Sequence, residues 1–177
     1  MQKRILVCSD LHIPYHNPKH VELMLSVAES VGIDELVLNG DVLDAYNLNS
    51  HGPKDPKVFS SLEDEYQAGR DFLIESKKRL KGVKIVFLGG NHEDRLDRFV
   101  VKNCKAFHNI LTTSKMLNLE SLDIEWHEYQ DPYKLSKNLF VMHSPPSYSV
   151  NAAKTSLASK LYLWMHSQDG LCNTPSV

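Results

Sequence analysis

Glu35-Leu36-Val37-Leu38-Asn39-Gly40-Asp41-Val42-Leu43-Asp44 is a short apolar run that stops at a polar turn, and the pattern recurs along the chain. An apolar run of this length, bounded by turn residues, reads as a buried strand. Before it, Lys3 to Ser9 passes into Asp10-Leu11-His12; after it, Val83 to Leu88 passes into Gly89-Gly90-Asn91-His92-Glu93. The segments between have a helical period. Val21, Met24, Leu25, Ala28 and Val31 share one face, with Gly32 placed as a stop. From Ser61, Leu62, Tyr66, Gly69, Leu73 and Leu80 repeat in the same way; Ser61 with Asp64 resembles a capping box, and Gly82 is expected to end the helix. A third helix is expected from Glu93 to Val101. Ile124 to Glu128, Asn138 to Met142 and Leu161 to Met165 read as later strands, and Asn151 to Lys160 as a helix. Strands alternating with helices predict an α/β fold with a parallel sheet covered on both faces.

With 177 residues the chain is read as a single domain, 1–177, with no internal repeat or linker. Hydrophobic content of 42%, charged content of 24% and a net charge of −2 are those of an ordinary globular chain, with no global bias towards nucleic acid or membrane. The apolar runs are far short of a membrane span. The basic-then-apolar N-terminus meets Asp10 too soon to serve as a signal peptide. Cys8, Cys104 and Cys172 are odd in number and lack a CxxC spacing, so free thiols and a reducing, cytoplasmic compartment are expected.

In open α/β sheets ligands bind outside the carboxyl ends of the strands. Here those ends carry Asp10 and His12, Asp41 and Asp44, Asn91 to Glu93, His143 and His166. Taken singly each has an ordinary explanation: a helix cap, a turn, a structural histidine. Five in order, at successive strand ends, point instead to a metal site. Carboxylate, amide oxygen and imidazole without thiolate suit hard or borderline divalent cations. Asp10 and His12, two apart, can turn onto one ion, and Asp41 is placed to give an oxygen to each of two. Paired cations about 3.5–4 Å apart clamp the attacking and leaving oxygens of an in-line displacement. Two divalent ions against Asp10 and Asp41 leave a positive field suited to phosphate, with a metal-activated hydroxide as nucleophile.

Asp10-x-His12, Gly40-Asp41-x-x-Asp44, Gly90-Asn91-His92-Glu93 and the lone His143 resemble the motifs of the calcineurin-like metallophosphoesterases, with a likeness running from residue 5 to about 166. Ser9 to His16 and Gly90 to Leu96 look most like its small bacterial and bacteriophage members. The resemblance implies a four-layer α/β/β/α sandwich and two divalent metal ions, Mn²⁺ foremost, with Fe, Zn, Ni or Mg as alternatives. It places Asp10, His12 and Asp41 on the first metal, and Asp41, Asn91, His143 and His166 on the second. His92 would face the substrate, held by Asp44, and protonate the leaving oxygen. Arg95 is either a phosphate contact or a solvated helix charge. The family's last block, Gly-His-x-His, is here Met165-His166-Ser167-Gln168, so Gln168 stands where a second ligating histidine belongs, and the C-terminal part reads as shortened.

The expected activity is hydrolysis of phosphate mono- or diesters, with small phosphate esters or nucleotides ranked above nucleic-acid ends because no basic stripe with interleaved aromatics is present. The competing reading is a metal-poor binding scaffold of the same fold, favoured by the altered last block and opposed by the three intact ones. His16, His20, His51, His108 and His127 are read as surface or structural. Lys77, Lys78, Arg79, Lys81 and Lys84 are read as a solvated helix end, and Trp126 and Trp164 as core.

Overall fold

The structure is a computed structural model and describes residues 3–49, 61–144 and 161–164. Strands β1 (Ile5–Cys8), β2 (Glu35–Asn39), β3 (Lys84–Leu88) and β4 (Glu125–His127) form one sheet, in the order of the chain and all parallel. Helices α1 (Pro18–Val31), α2 (Leu62–Arg79) and α3 (Asp94–Asn103) connect them. Parallel crossovers are almost always right-handed, so a sheet whose order never reverses receives its helices on one face. The other face meets a second sheet of β5 (Tyr133–Lys134), β6 (Leu139–Met142) and β7 (Leu161–Trp164), in which β6 runs antiparallel to β5 and parallel to β7.

Strand alternation sorts the side chains. Leu36 and Leu38 of β2 with Ile85 and Phe87 of β3 join the core under the helices, alongside Leu25, Ala28, Tyr66, Leu73, Leu96 and Val100. Their neighbours Val37, Val86 and Leu88 face the other way, into a smaller core with Tyr133 and Val141. These are three layers of the expected α/β/β/α sandwich; the expected helix over 151–160 lies outside the described residues.

Local chemistry starts and stops the helices. Asn17 caps α1 by accepting from Lys19 N at 3.0 Å, Pro18 fits the first helical position, and Gly32 closes the helix with φ 63°. Ser61 and Asp64 form the reciprocal capping box of α2. That helix ends at Arg79, short of Gly82, which instead takes φ 79° in the turn into β3. The basic cluster there is more than a solvated end. Arg79 clamps Glu22 at 2.7 Å and Glu29 at 2.6 Å, joining α2 to α1, and Lys84 pairs with Glu125. Among the described residues, four elements are shorter than any period in the sequence can register: β5, the single turn α4 (Thr113–Met116) and the 3-10 turns Tyr46–Leu48 and Lys105–Phe107.

Leu73 is fully buried between α2 and the sheet. Leu73→Ala is expected to lower unfolding free energy by about 2–5 kcal/mol in a denaturant titration, with the metal content of the folded protein unchanged.

Candidate metal centre

The loops after β1, β2 and β3 and the end of β6 deliver their polar residues to one rim. The first two loops run side by side, zipped by backbone hydrogen bonds from Asp10 N to Gly40 O at 3.1 Å, His12 N to Asp41 O at 3.0 Å, Ile13 N to Val42 O at 2.8 Å and Asp44 N to Ile13 O at 2.9 Å. Within this ladder Asp10, His12 and Asp41 hold left-handed backbones, with φ of 58°, 54° and 51°. Non-glycine residues there carry about 1–3 kcal/mol of strain each. The ladder fixes that conformation, and the strain falls on the residues whose side chains converge.

Glu93 locks the third loop to the second. Its buried carboxylate accepts from Asp41 N at 2.9 Å, Leu43 N at 2.9 Å and Gly90 N at 2.8 Å. Burial, together with the neighbouring Asp41 carboxylate, pushes its pKa up to about 7. The approach leaves no room for side chains. A Cβ on Gly90 would collide with Oδ1 and the amide nitrogen of Asp41, and one on Gly40 would lie 2.5 Å from the His143 ring. Gly40 also needs its φ of 76°.

Asp41 is the centre of the cluster and is 1% exposed. Its Oδ1 accepts from His92 N at 3.0 Å, and its Oδ2 lies 3.3 Å from His143 Nε2 and 3.7 Å from His92 Nε2. Burial alone would raise its pKa, but the His143 and His92 rings hold it below the usual carboxylate value. His143 Nδ1 contacts Asn39 O at 2.9 Å, which fixes the proton on Nδ1 and turns Nε2 towards Asp41 Oδ2 and Asn91 Oδ1, the latter 3.1 Å away. Burial opposes a charge on His143, yet the Asp41 carboxylate outweighs it and raises the ring to about 9.

A carboxylate oxygen, an amide oxygen and an imidazole nitrogen thus converge, and such a set closes stably only around a proton or a cation. The residues therefore fit a divalent ion. Two groups bring their ligand atoms within 4.8 Å of one another: Asp10 with Asp41 and His143, and His12 with Asp41 and His92. Asp41 belongs to both. Asp10 falls in the group with His143 and His12 in the other, although His12 Nε2 lies 4.0 Å from Asp10 Oδ1.

Asp44 and His92 differ from expectation. The Asp44 carboxylate faces His12, with Oδ2 3.3 Å from Nδ1, and this contact raises the His12 pKa. A carboxylate on one ring nitrogen orients the other towards an ion. His92 meets Asp44 through the backbone carbonyl instead, Nδ1 to O at 2.7 Å, while Arg95 Nη2 lies 2.8 Å from Nε2. A guanidinium only donates, so Nε2 accepts and the ring is a neutral Nδ1–H imidazole. Burial, reinforced by the Arg95 charge, lowers the His92 pKa. With a cation already on Nε2, His92 is a poor metal ligand despite its place in the second group.

Glu93 and Glu65 were not foreseen as braces. Glu65 is buried on α2 and accepts from Tyr46 N at 2.8 Å and Asn47 N at 3.1 Å, holding the short 3-10 turn that follows the second loop. Asp64 and Glu65 look alike in sequence, and only the fold separates cap from brace. Trp126 packs on Phe87, with ring centroids 5.4 Å apart, as a core residue. His166, Gln168 and His51 lie outside the described residues.

The calcineurin-like phosphoesterase family model matches residues 3–170. The chain therefore belongs to that family. No curated protein matches it. Among solved structures, the crystal structure of Pseudomonas putida nuclease MPE is similar at 18% identity and a TM-score of 0.44, over 93% of this chain. The chain spans 60% of that nuclease.

Glu93→Gln replaces one acceptor oxygen by an NH₂ that faces backbone donors. The variant is expected to lose about 1–3 kcal/mol of stability and to bind divalent metal more weakly, read by thermal unfolding and by metal titration monitored calorimetrically.

Proposed function

We propose that this chain hydrolyses phosphate esters with two divalent cations that share Asp41, Mn²⁺ being the first candidate. The observation that carries this reading is the burial of the Asp41 carboxylate within ligand-atom reach of Asp10 and His143 on one hand and of His12 on the other. Asp10 and His12 would serve one cation and Asn91 and His143 the other, with His166 and Gln168 as the expected remaining ligands. When bound, the cations would supply positive charge for the phosphoryl oxygens and lower the pKa of a coordinated water.

The chain's own groups do the rest. Asn39 O and Asp44 Oδ2 orient the His143 and His12 rings. Asp44 O, accepting from His92 Nδ1, aims His92 Nε2 at the cluster, where, after taking up a proton from solvent, it would pass that proton to the leaving oxygen. Small phosphate mono- or diesters, including nucleotides, are the first substrates to try, and nucleic-acid ends come next, the class of substrate that the name of the Pseudomonas putida nuclease brings to mind. A scaffold without metal is disfavoured, since a packing role gives no reason to bury Asp41 among His143 Nε2 and Asn91 Oδ1. No helix among the described residues is long and apolar enough to cross a membrane.

Asp41→Asn tests the shared ligand. Metal analysis and turnover of bis-p-nitrophenyl phosphate should show both ions weakened and activity lost; a variant that keeps two ions and native turnover rules the bridging role out. His92→Ala should lower turnover about 10²-fold with metal content intact, more for poor leaving groups than for good ones. Equal losses across leaving groups would remove His92 as the proton donor.

A further inference from the structure

Arg95 occupies the first turn of α3, where the helix dipole disfavours a cation. It does not reach into solvent to escape. Its side chain is 18% exposed and turned into the site, with Nη1 donating to Asp44 O at 2.8 Å and Nη2 to His92 Nε2 at 2.8 Å. Both partners are neutral acceptors, and the Asp44 carboxylate stands off at 3.9 Å. By contrast Arg98, on the same helix, pairs closely with Asp94 at 2.8 Å and is mostly exposed. Arg95 is therefore a half-buried permanent charge whose hydrogen bonds go to neutral acceptors and whose ion pair with Asp44 is long, at 3.9 Å, so an arriving anion could meet the guanidinium at closer range than any carboxylate bonded to it now. Nη2 is bonded to the same His92 Nε2 that lies 3.7 Å from Asp41 Oδ2, so the fork borders the ligand cluster. Its planar geometry suits two oxygens of a phosphate.

We propose that Arg95 binds the phosphoryl group of the substrate and that, between turnovers, the same guanidinium covers His92 Nε2, so that the arriving phosphate uncovers it. This rests on the phosphoesterase reading of the site. The hydrogen bond from Nη2 passes from His92 to a phosphoryl oxygen, and the uncovered Nε2, once it has taken a proton from solvent, faces the leaving oxygen. Asp44 O continues to accept from His92 Nδ1, so the ring keeps its direction while the guanidinium shifts. Arg95 is thereby a determinant of affinity for the anion as well as a positioning residue for His92.

The experiment compares the native protein with Arg95→Ala, Arg95→Gln and Arg95→Lys. KM for bis-p-nitrophenyl phosphate and the inhibition constant of inorganic phosphate are both expected to rise about 10- to 100-fold in Arg95→Ala, the scale of a lost charge-assisted pair, with Arg95→Lys recovering part. In ¹⁵N-labelled, Zn²⁺-loaded protein, inorganic phosphate should move the His92 Nε2 resonance, assigned by its absence in His92→Gln, and should leave it unmoved in Arg95→Ala. Unchanged KM and phosphate inhibition in a folded, metal-replete Arg95→Ala overturn the proposal, as does a native Nε2 resonance indifferent to phosphate. A loss of kcat alone would assign Arg95 only to His92 and overturn phosphate binding. Should Arg95→Ala fail to fold by circular dichroism, Arg95→Gln, which keeps donors for Asp44 O and His92, supplies the same comparison. A native protein inactive on every ester would defeat the hydrolase reading, while the phosphate titration would still decide Arg95.

Discussion

The carboxylate of Glu93, buried and accepting three backbone amides from two different loops, is the contact on which the site depends. It draws the loop after β3 so close to the loop after β2 that only glycine fits at position 90. The loop after β2 is itself zipped to the loop after β1, and Asn39 O ties in His143 from the second sheet. Four segments far apart in the chain thus form one rigid rim. Thr113 extends the brace outward, donating to Glu93 O at 3.1 Å and meeting the Tyr66 hydroxyl at 3.1 Å, which anchors the loop to α2 and α4. Such rigidity is what lets Asp10, His12 and Asp41 keep backbones that would relax in a free loop.

Each group that points at the centre is aimed by another that does not. Asp44 sits behind His12, Asn39 O behind His143, and Asp44 O behind His92. Such outer partners fix ring direction and tautomer, and through them ligand strength. Asp44 serves two rings at once, one through its side chain and one through its backbone, which explains how a single residue sits beside two histidines whose centroids are 4.6 Å apart.

The place of the site follows from the strand order. Because β1 to β4 succeed one another without reversal, the helices gather on one face and leave the other free for the second sheet. That second sheet brings His143 to the same edge as the loops of the first. The edge is where strand carboxyl ends open, and where backbone groups no longer paired within a sheet are free to build loops around an ion.

The amino-acid sequence by itself determined the long elements and the inventory of candidate ligands. β1 to β4, β6, β7 and α1 to α3 are set by local periodicity and by caps such as Ser61 with Asp64, which act within a turn of the chain. That Asp10, His12, Asp41, Asn91 and His143 gather at one rim was legible because each follows an apolar run at a strand end. Tertiary structure alone decided how these residues are used. That Glu93 is a brace, that Asp44 turns its carboxylate to His12 and its carbonyl to His92, and that Arg95 folds inward rather than into solvent all depend on contacts between residues about thirty to fifty positions apart. Such contacts leave no period in the sequence, because side-chain direction at a loop is fixed by whatever the fold packs against it.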